Sequence, residues 1–184
     1  TPTPPTAPRT RLDAAHGWPV TGRPHTVLAA IDDLLFEPDG WFAIDRTNRR
    51  VPRVTIPTRQ AGLALVGRGP VATIVGRLRP QAVAIDIDLD DERGTRAAGQ
   101  LTAWCNQQRL WSLSRPSGRP GHRHVIVVPQ GRQDELQALV SELRHHLEAS
   151  PKQIDVRRTL RPLTAPHRLG GSPPTNVGPD SAAD

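Results

Sequence analysis

The sequence predicts an α+β fold, and three observations carry that expectation. From residue 82 onward, short apolar runs rich in β-branched residues alternate with two long stretches of helical periodicity, in the order β-α-β-β-α-β. Residues 22 to 80 combine one amphipathic helix with strand-like segments, and both ends of the chain are rich in proline and small polar residues. The β-α-β-β-α-β order is that of the ferredoxin-like, or RRM-like, fold, so we expect an RRM-like catalytic-size lobe behind a small N-terminal αβ lobe. In that fold both helices cover one face of a four-stranded sheet ordered 4-1-3-2, and the other face stays open.

Taken in order, residues 1–21 contain "TPTPPTAPRT", cannot bury enough apolar surface to order themselves, and are expected to be a flexible tail. In "TVLAAIDDLLFEPDG", Leu28, Ile31 and Leu35 recur at helical spacing until Pro38 ends the run. "GWFAID" reads as a strand; "AGLALVGRG" and "VATIVGRL" are apolar but ambiguous in type. These pieces make up the N-terminal αβ lobe, residues 22–80. The RRM-like lobe, 81–171, begins with a strand over 82–89. A helix over 93–109 follows, with Ala97, Leu101, Trp104 and Cys105 on one face, then a strand over 110–114. After the turn-rich "RPSGRPG", residues 122–128 form a third strand. The second helix, 132–149, aligns Leu136, Leu139, Val140, Leu143 and Leu147, and "QIDVR" at 153–157 is the last strand. Residues 172–184 are expected to be a second flexible tail.

The formal charge is +6, and Lys152 is the sole lysine, so the positive charge is almost entirely arginine. Arginine matches phosphate through its planar fork, which points to a polyanionic partner. A single cysteine, Cys105, excludes an intrachain disulfide framework or a cysteine-rich zinc site and favours a reducing, cytoplasmic setting. No apolar run approaches the roughly 18 residues that span a bilayer, so no membrane partner is expected. The sequence has no methionine, even at position 1, as a fragment or processed product would.

"VAIDIDLDDE", residues 83–92, places acids inside a strand. Alternation turns Val83, Ile85, Ile87 and Leu89 towards the helices and Ala84, Asp86, Asp88 and Asp90 towards the open face. Asp86 and Asp88 then stand about 6.6 Å apart along the strand. In the 4-1-3-2 order Asp155 joins them from the adjacent last strand, with Ile154 and Val156 turned into the core. Carboxylates about 4 to 6 Å apart repel by a few kcal/mol unless a cation intervenes. All-oxygen ligation suits Mg²⁺ or Mn²⁺, and two such ions are the usual device for in-line phosphoryl transfer. Asp90 and Asp91 have a simpler reading, as a solvated strand end that caps the next helix.

Two further stretches carry chemistry. In "SGRPGHRHVIVV", Ser117, Gly118 and Gly121 form a loop whose backbone N–H groups can approach a phosphate, and His124 opens the next strand beside the acids. His122 reads more simply as a surface histidine, His145 and His146 as a solvated helix end, and Cys105 as a core residue. "RRTLRPLTAPHRLGG" gathers Arg157, Arg158, Arg161, His167 and Arg168 directly after Asp155.

In order and spacing these pieces resemble the motifs of the archaeo-eukaryotic primase superfamily, in particular the primase-polymerases of plasmids and phages. "AIDID" is similar to its D-x-D strand, "SGRPGHRH" to its serine-histidine motif, "QIDV" to its third acid, and "LRPLTAPHRLGG" to the basic segment beyond. The extra "RP" in the loop makes His122 a rival to His124, and the zinc-binding insertion of some members is absent. The resemblance implies a DNA primase or DNA polymerase that joins NTPs or dNTPs on a single-stranded DNA template. It implies Asp86, Asp88 and Asp155 as catalytic ligands of two Mg²⁺ or Mn²⁺ ions, with Ser117 and His124 on the incoming triphosphate and a replicative helicase as a further partner. Arg161 and Arg168, with His167 as a weaker candidate, are expected to stabilise the triphosphate, held close by Pro162 and Pro166. The scattered Arg49, Arg50 and Arg53 are assigned to template backbone or solubility.

Other classes compete. H-x-H on a strand also marks rolling-circle nucleases, but these attack with tyrosine, and the chain has none. A non-catalytic RRM-like module binding single strands would stack bases on aromatic residues, only 3% of this chain. A metal-dependent nuclease using the same acids is separated by asking whether activity requires nucleoside triphosphates.

Overall fold

The structure, a computed structural model, describes residues 24–169. The two expected tails lie outside the described residues. The chain is a mixed α+β protein with two antiparallel sheets and, among the described residues, four helices. Its elements are α1 (Pro24–Leu35), β1 (Phe42–Ile44), α2 (Arg59–Leu63), β2 (Thr73–Arg77), β3 (Val83–Ile87), α3 (Asp91–Gln107), β4 (Trp111–Pro116), β5 (Arg123–Val128), α4 (Gln133–His146), β6 (Ile154–Arg157) and β7 (Thr159–Leu160). The two ambiguous runs resolve as follows: "AGLALVGRG" supplies the short α2, capped by the Thr58 hydroxyl on the Ala61 N–H, and "VATIVGRL" supplies β2.

The larger sheet runs β4-β5-β3-β6, antiparallel throughout. Alternation along β3 divides its side chains as its sequence dictates. Ile85, Ile87 and Leu89 are buried under α3 and α4 with Ala97, Leu101, Val140 and Leu143, whereas Ala84 and Asp86 turn to the opposite face. Acidic residues in the first turn of α4 and Arg144, His145 and His146 in its last complement the helix dipole. No described helix is long and apolar enough to cross a membrane.

The face expected to be open is in fact half covered. Ala84, Trp111, Leu113 and Ile126 project from it into a second core with Leu28, Ile31 and Leu35 of α1 and Ile74 of β2. The reason lies in the strands themselves: their far ends carry large apolar residues on that face, which the first block buries. Only the end of the face that carries Asp86 and His124 is left against a cleft.

After β6 the chain leaves the larger sheet and returns to the smaller one, ordered β1-β2-β7. Leu160, Leu163 and Ala165 pack into the second core. Asp32 of α1, fully buried, accepts the backbone N–H of Leu163 at 2.7 Å, that of Thr164 at 3.0 Å, and the Thr164 hydroxyl at 2.7 Å. Thr73 donates its hydroxyl to the Pro166 carbonyl at 2.8 Å. The basic segment is thereby strapped across both sheets.

Candidate functional site

A cleft of about 470 Å³ opens between the two sheets, and Asp86, Asp88, Ser117, His124, Arg161, His167 and Arg168 all line it. Seven side chains from three separate stretches of sequence thus share one concavity. Asp155 is not among the lining residues, but it stands directly across from Asp86 in the β3–β6 register.

Asp86 sits at the back, 4% exposed. Its Oδ2 lies 2.8 Å from Arg157 Nη2, and its Oδ1 lies 3.2 Å from His124 Nε2 without hydrogen-bond alignment, so Oδ1 is buried with no donor. Burial opposes its ionisation, but the polar surroundings, with the Arg157 guanidinium at 2.8 Å, outweigh that and hold the carboxyl below its usual range. Arg157 also reaches Asp155 Oδ2 at 3.2 Å and so stands between the two acids as the cation their repulsion calls for.

His122 departs from the expectation of a bland surface residue. It lines the cleft, holds Asp88 Oδ1 at 3.0 Å through Nδ1, and approaches Asp90 at 3.4 Å through Nε2. Asp90 accordingly occupies the N-cap position of α3 without a side-chain capping bond, because its carboxylate turns to His122 instead. His145 and His146 are exposed, and Cys105 is a core thiol whose pKa burial raises to about 11.

The residue that sequence reasoning missed is Arg115. It follows Trp111 and Leu113 at alternate positions of β4, which was the available signal that it points inward, and it is 2% exposed. Its Nε–H donates to His124 Nδ1 at 3.3 Å, Nη1 donates to the Pro162 carbonyl at 3.2 Å, and Nη2 to the Arg161 carbonyl. With Nδ1 accepting, the neutral ring carries its proton on Nε2, which donates to Ser117 Oγ at 2.9 Å. Burial and the Arg115 charge lower the His124 pKa to about 4, so the ring is neutral at physiological pH. His124 therefore offers Ser117 a donor and not a base, which excludes a serine nucleophile activated by this histidine.

The loop between Ser117 and His122 is held tightly. Ser117 N–H donates to the His122 carbonyl and His122 N–H to the Arg119 carbonyl, so neither is spare for a phosphate. Gly118 has φ +103°, and a Cβ there would meet the His167 ring at 2.6 Å. On the basic side, Arg161 is 8% exposed and bonds the Ala165 carbonyl, while Arg168 donates to the Arg46 carbonyl at 2.7 Å. Burial, with Arg161 and Arg168 nearby, lowers the His167 pKa.

Among the described residues no three or more His, Cys, Asp and Glu side chains form an assembled metal-binding group. Arg157 and His122 occupy the acids instead. The donor chemistry nonetheless fits a hard divalent cation: Asp86 and Asp88 share a face, Asp155 is the cross-strand neighbour of Asp86, and Asp86 Oδ1 has an unused lone pair. Arg157, with a 42% exposed side chain, is free to exchange its carboxylate contacts for water.

Comparison with family models, with curated proteins and with solved structures gave no significant match.

Proposed function

We propose that this chain is a nucleotidyltransferase of the primase-polymerase type, built on an RRM-like lobe, that adds NTPs or dNTPs to a strand paired with single-stranded DNA. The element order β3-α3-β4-β5-α4-β6 and the strand order β4-β5-β3-β6 support the RRM-like assignment. The observation that carries the function is the convergence, on one cleft of about 470 Å³, of the D-x-D acids, the Ser117–His124 pair and the basic segment.

Each group has a task in that reading. Asp86, Asp88 and Asp155 would hold Mg²⁺ or Mn²⁺, which supplies charge neutralisation for the reacting phosphates. Neutral His124 donates Nε2–H to Ser117 Oγ, which leaves the Ser117 hydroxyl proton as a hydrogen-bond donor to a phosphate oxygen that adds no charge. Arg161, Arg168 and His167 stabilise negative charge on the leaving pyrophosphate, and their strapping to Asp32, Thr73 and Arg46 preorganises them. The buried Arg115 fixes both the His124 ring and the backbone that carries Arg161.

The test is incubation of the chain with single-stranded template, labelled NTPs or dNTPs and Mg²⁺ or Mn²⁺, with and without a primer. Incorporation that depends on template and metal supports the assignment. Strand cleavage without any nucleoside triphosphate would replace it with a metal-dependent nuclease, and binding of single strands without turnover would replace it with a non-catalytic module.

A further inference from the structure

Part of the cleft is apolar. Phe42, Ile44 and Val75 line it from the smaller sheet, whereas Asp86 and His124 belong to the larger one. The register pairs Phe42 with Val75 and Ile44 with Thr73, so these four share one face, and Ala43 and Ile74 turn into the core behind them. Phe42 is half-buried, and among the described residues it is the one Phe, Trp or Tyr side chain that lines the cleft. Phe36, Trp41 and Trp111 are core residues, and Trp104 packs against the other core.

What covers the Phe42 ring is informative. The exposed Arg50, which is not among the residues lining the cleft, holds its guanidinium carbon 5.3 Å from the ring centroid, so one face of the ring already stacks on a planar side chain at the surface. An aromatic ring that stacks on a flat guanidinium can stack on a flat nucleobase by the same geometry, and Phe42 lines the cleft. The cleft volume, about 470 Å³, lies within the roughly 300 to 1,000 Å³ of a small-molecule site. A nucleotide shares the cleft's two-part character, apolar at the faces of its base and anionic at its phosphates.

We infer that Phe42 is a nucleobase platform: the base of the incoming nucleoside triphosphate stacks on its ring beside Ile44 and Val75, and the triphosphate extends towards His124, Arg161 and His167. This rests on the reading of the cleft as a nucleotide site. Stacking uses the face of a base and ignores its hydrogen-bonding edge, so such a wall takes all four bases, as template-directed synthesis requires.

Equilibrium binding to the full chain in Mg²⁺ tests it, with a dNTP, inorganic triphosphate and oligo-dT as separate probes. Phe42→Ala should weaken dNTP binding by at least about fivefold, leave inorganic triphosphate unchanged, and be rescued by Phe42→Trp. If the unaltered chain binds neither dNTP nor inorganic triphosphate, the nucleotide site itself is refuted. If it binds both and Phe42→Ala binds dNTP equally well, only the platform is refuted. Loss of oligo-dT binding with dNTP affinity intact would assign the wall to the template strand and overturn the inference, as would equal loss of all three probes in both variants.

Discussion

A buried guanidinium that donates to one ring nitrogen leaves a histidine a single neutral tautomer, and Arg115 imposes this on His124. The same burial carries a pH signature. His124 has a folded pKa of about 4 against an ordinary value of 6.5, so below pH 6.5 the unfolded chain takes up a proton that the folded chain refuses. Stability should therefore fall with pH between 6.5 and 4, by about 3 kcal/mol from this residue. The lowered pKa of Asp86 acts further down, since its contribution is complete above the unfolded carboxylate pKa and is lost as pH drops through the folded one. Urea unfolding of the parent chain and His124→Gln across pH 4 to 7 measures the difference. The variant should lose the His124 slope, and parallel curves would show that the ring is charged in the fold.

At the level of elements, the geometry of the site depends on two contacts remote from its chemistry. Helix α3 packs on the 117–121 loop at Gly94, where a Cβ would come 1.9 Å from the Gly121 carbonyl oxygen. Alanine in a helix ordinarily gains up to about 1 kcal/mol over glycine, but a backbone clash of this kind costs about 1 to 3 kcal/mol or more. The clash wins, so Gly94→Ala should lower stability in a urea melt and weaken nucleotide binding through the displaced Ser117 and His124. A more stable variant would show that the loop is not seated on the helix. The second contact is Asp32, which lies on α1 in the first block and was legible only as part of an amphipathic helix. Asp32→Ala strands the Leu163 and Thr164 N–H groups and removes a carboxylate 3.5 Å from buried Arg59, for about 3 kcal/mol or more. Thermal melting should show that loss, and an unchanged transition would mean that the 159–169 segment is held elsewhere.

Over the whole molecule, what the sequence revealed follows from how local the signal is. The strands and helices from 82 to 157 were legible because period-two and period-3.6 patterns are written within each element, and the split of β3 into Ile85 and Ile87 against Ala84 and Asp86 follows from them directly. The covered half of the sheet face was not legible, because it depends on Trp111, Leu113 and Ile126 meeting α1 across a long sequence separation. Arg115 was missed, and His122 was read as a surface residue and a rival to His124, for the same reason: an arginine or histidine in a strand reads as solvated until its partners, here the Pro162 carbonyl and Asp88, are brought to it. Phe42 was one aromatic residue among few, and only the folded chain brings it to the wall of the cleft.

In the proposed function this cleft joins nucleotides as a template directs. That activity is tested most directly by offering single labelled dNTPs on primed templates that present each of the four bases in turn, in Mn²⁺ or Mg²⁺, to the parent chain and to Asp86→Asn. That substitution keeps the side-chain volume and removes the carboxylate charge. The parent chain should incorporate the complementary nucleotide, and the variant should lose at least about a hundredfold in rate. Incorporation by Asp86→Asn at the parental rate, or none by the parent chain on any template, would contradict the proposed function.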